Sequence, residues 1–100
     1  MNFSVKRNGT VTEVDMKGRL TFADYGTFRE ITHVFNDQDS KCCLFDLSGL
    51  EFIDSAGLGM LLIARDKMHS MNGKVVLRGA QGQVKKMLDL GRFDSLFTVE

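Results

Sequence analysis

Asp46-Leu-Ser-Gly-Leu-Glu-Phe-Ile-Asp-Ser-Ala-Gly-Leu-Gly59 is the stretch on which the reading of this chain turns. It overlaps Lys41-Cys-Cys-Leu-Phe-Asp-Leu47, an almost continuously apolar run. A strand buried on both faces reads this way, in a sheet with parallel neighbours and helices packed on it. Ser48-Gly49 then opens a loop containing Leu50, Phe52 and Ile53. From Ser55 the apolar period becomes helical: Leu58, Leu61, Leu62, Arg65 and Met68 form one stripe, closing near Asn72-Gly73. A buried strand thus delivers the chain to a loop that turns into a helix at Asp54-Ser55.

The flanks extend this pattern. Upstream, Phe3-Ser-Val-Lys-Arg7 alternates apolar and polar, Asn8-Gly9 supplies a tight turn, and Thr10 to Met16 is rich in β-branched residues. Two such runs around Asn-Gly predict a β-hairpin, with Gly18 breaking its second strand. A helix is predicted from about Ala23 to Phe35, with Phe28, Ile31, Val34 and Phe35 inward and Arg29, Glu30 and Thr32 outward. Thr21 or Asp24 caps it, and Asn36-Asp-Gln-Asp-Ser40 ends it in a loop. Downstream come a strand at Lys74–Arg78, a turn at Gly79–Gly82 and a short helix at Val84–Leu90 with Val84, Met87 and Leu88 inward. Gly91 closes that helix, and Leu96–Val99 makes a last strand. A hairpin followed by alternating helices and strands predicts an α/β domain spanning residues 1–100, with one small mixed sheet covered by helices.

Composition narrows the function. Thirteen basic residues balance thirteen acidic ones, which argues against a non-specific nucleic-acid binder relying on excess Lys and Arg. Lys85-Lys86 reads as a solvated helix face. The opening Met1-Asn-Phe-Ser lacks the basic-then-apolar pattern of a secretory leader. Leu58 to Ala64 is too short an apolar stretch to span a bilayer. Cys42 and Cys43 are adjacent and read as reduced thiols of a cytoplasmic protein, not a disulfide framework or a closed zinc site.

Catalysis finds little support. His33 and His69 lie in predicted helices, outside any motif with a Ser or Cys nucleophile. Gly79-Ala-Gln-Gly-Gln matches neither a phosphate loop nor a dinucleotide fingerprint, and Asp37 and Asp39 fall in a polar loop. Asp54 and Ser55 at a helix start read first as caps for unpaired backbone N–H groups. Gly57 and Gly59 in the first turn suggest more, because each costs about 1 kcal/mol against alanine while leaving the backbone open to close approach. An exposed hydroxyl at a helix N-terminus suits the placing or sensing of a phosphate. Met60 and Ile63 lie off the main stripe and are assigned to docking contacts; Met68 and Met87 read as core, and Arg65 as a residue snorkelling at the stripe's edge. Phe93, Leu96 and Phe97 read as core.

Phe52-Ile-Asp-Ser-Ala-Gly-Leu-Gly-Met-Leu-Leu62 resembles the signature loop and helix of the STAS domain family, which includes the bacterial anti-sigma factor antagonists. The opening hairpin, the Gly18-Arg-Leu20 turn and Val84-Lys-Lys-Met-Leu-Asp-Leu-Gly-Arg-Phe93 resemble the family in order and spacing. The resemblance implies a non-catalytic switch without cofactor or metal, phosphorylated at Ser55 by an anti-sigma factor that is a GHKL-type serine kinase. A serine phosphatase reverses it, and only the unmodified form sequesters the kinase. The implied docking surface runs from Asp54 and Ser55 through Ala56, Gly57, Leu58, Gly59 and Met60 to Ile63. Thr21 stands where many antagonists carry an aspartate that helps partner contact, and Thr21 with Asp24, the nearest acid, is counted with this docking surface. The expected form is a cytoplasmic monomer entering heteromeric complexes. A second reading is an unphosphorylated accessory subunit of a lipid-transport ABC complex, which uses the same fold. A third is an autonomous enzyme or nucleotide-binding domain.

Overall fold

A computed structural model of the chain describes residues 2–33 and 41–100. Val34, Phe35, Asp37, Asp39 and the rest of the polar loop predicted at 36–40 lie outside the described residues. The hairpin forms as expected: β1 (Asn2–Asn8) pairs antiparallel with β2 (Val11–Leu20), closing at Asn8 opposite Val11 with Gly9 at φ +65°. A 3-10 turn (Phe22–Asp24) leads into α1 (Tyr25–His33). Then follow β3 (Cys42–Ile53), α2 (Ser55–Ser70), β4 (Lys74–Arg78), α3 (Gly82–Leu90), a second 3-10 turn (Phe93–Ser95) and β5 (Thr98–Val99).

The five strands lie in sequence order, and every pairing after the hairpin is parallel. This order dictates the layering. Parallel crossovers are almost always right-handed, so successive crossovers stepping in one direction deposit their helices on one face. The core accordingly joins Phe28 and Ile31 of α1, Leu61, Ala64 and Met68 of α2, and Val84 and Leu88 of α3 to one set of strand residues. That set includes Val14, Cys43, Phe45, Leu47, Val75 and Leu77.

Hence β3 is not buried on both faces. Cys43, Phe45 and Leu47 are buried while Cys42, Leu44 and Asp46 between them are only half-buried. The open face carries Arg78, whose Nη2 lies 2.5 Å from Glu13 Oε1 and 3.0 Å from Asp46 Oδ2. Asp46 also accepts the Ser48 N–H at 3.0 Å and hydroxyl at 2.7 Å, and these bonds together with Arg78 hold its carboxyl below the ordinary range.

Two predicted breaks are strand. Gly18 does not end β2, and Ser48-Gly49 does not end β3; the two run on together until Leu20 faces Ile53. Register shifts interrupt the pairing between Asp15 and Lys17 and between Gly18 and Arg19, with Gly18 at φ +95°. Bulges insert unpaired residues and so break the alternation by which a strand is recognised. Leu50 and Ile53, expected in a loop, are core residues.

Smaller differences follow from packing. Thr32, expected outward, is buried, and its hydroxyl satisfies itself on the Arg29 carbonyl at 2.9 Å. Phe93 and Phe97 stack at 5.3 Å in the core, whereas Leu96 between them is exposed. Arg65 is half-buried and donates from Nε to the Leu96 carbonyl at 2.6 Å, tying α2 to the C-terminal segment.

Candidate functional site

Leu20 and Ile53 are register partners in parallel strands, so the segments that follow them start side by side at one edge of the sheet. Helix N-termini gather at the carboxyl edge of parallel strands, where sites are usually built. Here the two starts are tied together. Asp54 caps α2, its Oδ1 accepting the Gly57 N–H at 2.7 Å, while its Oδ2 accepts the Phe22 N–H at 3.2 Å. The Asp54 N–H in turn reaches the Leu20 carbonyl at 3.2 Å. One carboxylate therefore serves two helical starts. Asp54→Ala should lower stability by about 1–2 kcal/mol, read by urea unfolding. A loss under ~0.5 kcal/mol would show that water replaces the cap.

Thr21 and Asp24 are engaged in the neighbouring turn. The Asp24 carboxylate accepts the Thr21 N–H at 2.9 Å, so both the capping residues anticipated from sequence act together at this turn. Burial pushes the Asp24 carboxyl up, and the hydrogen bonds it accepts outweigh that effect and leave it lowered.

Ser55 is the first residue of α2 and is exposed. Among the described residues its hydroxyl has no hydrogen-bond partner, the capping being done by Asp54. The serine is presented, not used by the fold. His69 is fourteen residues further along the same helix, about 20 Å away at the helical rise, too far to serve Ser55 as a base.

The surface beside Ser55 differs in part from expectation. Gly57 is buried: a Cβ there would lie 2.6 Å from the Leu20 carbonyl oxygen and 2.7 Å from Ile53 Cγ1. Its missing side chain admits β2, not an outside molecule. Met60, expected off the inward stripe, is 3% exposed and part of the core, because the inner face of α2 runs through Gly57, Met60, Leu61, Ala64 and Met68. Leu58 is half-buried against the core. Gly59 and Ile63 do face outward: a Cβ added at Gly59 would meet nothing within 4 Å, and Ile63 is 50% exposed.

Sequence reasoning missed the opposite wall. Phe22, 75% exposed, and Tyr25, 52% exposed, line a shallow groove with Ala56, Gly59 and Ile63, and Met60 forms its floor. Two aromatic residues just ahead of the Phe28–Ile31 stripe, at the same three-residue spacing, were the available signal. A third missed residue is Gln83. Its side-chain amide accepts the Ile53 N–H at 3.0 Å and donates to the Ile53 carbonyl at 2.9 Å. Nothing in the sequence announces a bond across thirty residues.

The family model for the STAS domain matches residues 2–100. The chain belongs to the STAS domain family. A STAS-domain containing protein of Pseudomonas aeruginosa is 27% identical over 92 residues, covering 92% of this chain and 90% of that protein. A Bordetella bronchiseptica protein named, provisionally, as the anti-sigma factor antagonist BtrV is 29% identical over 63 residues, 63% of this chain and 54% of its own length. Among solved structures, the anti-sigma factor antagonist SpoIIAA in its unphosphorylated form has TM-score 0.79 at 16% identity, covering 99% of this chain and 87% of that one. The phosphorylated form of the Bacillus protein SpoIIAA has TM-score 0.77 at 14% identity, covering 99% and 91%. A sulfate transporter family protein of Wolinella succinogenes has TM-score 0.75 at 16% identity, over 90% of this chain and 75% of that one. The STAS fold thus occurs in both regulators and transporters. Among the described residues, no helix is long and apolar enough to cross a membrane.

Proposed function

We propose that this STAS protein is a cytoplasmic anti-sigma factor antagonist, in which phosphorylation of Ser55 controls docking on an anti-sigma factor kinase. The observation that carries the reading is an exposed serine, unused by the fold, at a capped helix start beside an apolar groove. A phosphate there adds about −1.5 to −2 charges. The N-terminus of α2 tolerates that charge, so the fold survives modification. On the docking surface the same charge lies beside the Asp54 carboxylate and the Phe22–Ile63 groove, where it repels and desolvates poorly. Binding therefore weakens while the structure persists. The partner kinase and a phosphatase supply the catalysis, and ATP binds the kinase.

The test is recovery of partners from native extract with wild-type, Ser55→Ala and Ser55→Asp forms, read by mass spectrometry. A kinase-like anti-sigma factor held by the first two and lost by Ser55→Asp, with phosphate found on Ser55 in cells, is the expected result. Recovery of one partner by all three forms, with Ser55 never modified, overturns the switch. A transporter's permease and ATPase as that partner would establish the accessory-subunit reading.

A further inference from the structure

β3 is longer than its neighbour β4. Pairing with β4 ends at Asp46 opposite Arg78, yet β3 continues for seven more residues to Ile53. Along that extension the edge away from β2 has no strand beside it among the described residues. Its backbone groups must still be satisfied where they are shielded from water. Ile53 is fully buried, and it is the residue immediately before the Asp54 cap.

The start of α3 takes the place of the missing strand. The Gln83 carboxamide is a side-chain copy of a peptide group, and it pairs with Ile53 as a strand would, accepting from its N–H and donating to its carbonyl. Gln81 does the same more simply at the beginning of the extension, donating from Nε2 to the Ser48 carbonyl at 2.9 Å. Ile53 is thus fixed through Gln83, while Asp54 is fixed through Leu20, Gly57 and Phe22. Two segments distant in sequence, at Leu20–Phe22 and at Gln83, converge on one dipeptide, and Ser55 follows it directly.

We infer that Gln83 is a positioning residue for Ser55: its two-point clamp on Ile53 sets where the first turn of α2 begins and how the serine is presented. The inference rests on reading Ser55 as the modified residue, and it extends that reading to α3, which no feature of the motif includes. Loss of the clamp frees the Ile53–Asp54 junction to shift, and with it the position of the Ser55 side chain relative to the first turn of α2.

The test uses a thiol in place of the hydroxyl, so that it needs no kinase and no phosphate. In S55C on a C42S background, the thiol's pKa is read from the pH profile of iodoacetamide alkylation. Cys43 does not compete, being fully buried with its thiol pushed up by burial. A thiol held at a helix N-terminus titrates below the free value of ~8.5. Adding Q83M, which keeps the volume and removes both bonds, should raise that pKa by ~0.3 unit or more, a twofold change in thiolate at neutral pH. Adding Q81M, which breaks only the Ser48 tie, should leave it unchanged. If Q83M moves the pKa by less than ~0.3 unit, or Q81M moves it equally, Gln83 is only a structural tie and the proposal fails. Should Q83M not fold, Q83A replaces it, and amide exchange in the unsubstituted protein decides independently. The clamp requires the Ile53 amide to exchange at least ~100-fold more slowly than a freely exposed one; faster exchange overturns it. If S55C shows the expected shift while Ser55→Asp leaves partner capture intact, the clamp stands and the phosphorylation reading alone is lost.

Discussion

Gly57→Ala is expected to destabilise the protein by about 2–3 kcal/mol, whereas Gly59→Ala, two residues further along the same helix, should stabilise it by about 0.5–1 kcal/mol. The opposite signs follow from what each added methyl meets. At Gly57 it would press on the Leu20 carbonyl oxygen at 2.6 Å and on Ile53 Cγ1 at 2.7 Å. The carbonyl is backbone, and it already receives the Asp54 N–H, so it has little freedom to retreat. Relief requires α2 to move off the end of the sheet, straining the Asp54 cap. At Gly59 nothing lies within 4 Å, and alanine gains only by restricting the unfolded chain and favouring the helix. Urea unfolding of the two variants measures both effects. Equal destabilisation, or a Gly57→Ala loss below ~1 kcal/mol, would mean that α2 does not pack on Leu20 as closely as described. Because Gly59 lines the groove, its alanine variant also separates the two properties: a more stable fold with weaker partner capture.

Charge placed in the groove should have the reverse pattern. Phe22→Glu and Ile63→Glu are each expected to reduce binding of the captured anti-sigma kinase by ~100-fold, about 2.7 kcal/mol, with stability changed by no more than ~0.5 kcal/mol. Phe22 and Ile63 are 75% and 50% exposed, so the folded protein gains little from either side chain. In a complex each would be desolvated against the partner, where an unpaired carboxylate is disfavoured. Titration calorimetry with the partner recovered in the Ser55 experiment gives the affinities, and thermal melting gives the control. Undiminished affinity in both variants would remove the groove from the docking surface, leaving the loop around Ser55 as the only contact.

These paired outcomes also mark what could be read from the chain before folding. Periodicity placed the hairpin, the three helices and the short strand Lys74–Arg78 in order, because amphipathic spacing and turn dipeptides act over a few residues. The Asp54–Ser55 start was legible for the same reason: a capping acid, a helical stripe and the family-like run are all local. Met60 was placed off the inward stripe because a stripe drawn through Leu58, Leu61, Leu62, Arg65 and Met68 ignores small inward residues. Gly57 and Ala64 rotate the buried face toward Met60.

What remained illegible depended on neighbours. The extension of β3 to Ile53 exists because β2 runs beside it to Leu20, with β3 carrying one extra residue at each of the two register shifts. One-sided burial of β3 comes from the direction in which successive crossovers step, a property of the whole sheet. Phe22 and Tyr25 become a groove wall only once α2 lies opposite them. Gln83 becomes a surrogate strand only because β4 stops short. Hydrophobic spacing and cap chemistry are encoded within one turn or one strand, so they survive without the fold. Which glycine is crowded, which methionine is covered and which glutamine replaces a strand depend on residues tens of positions away, and packing alone brings those together.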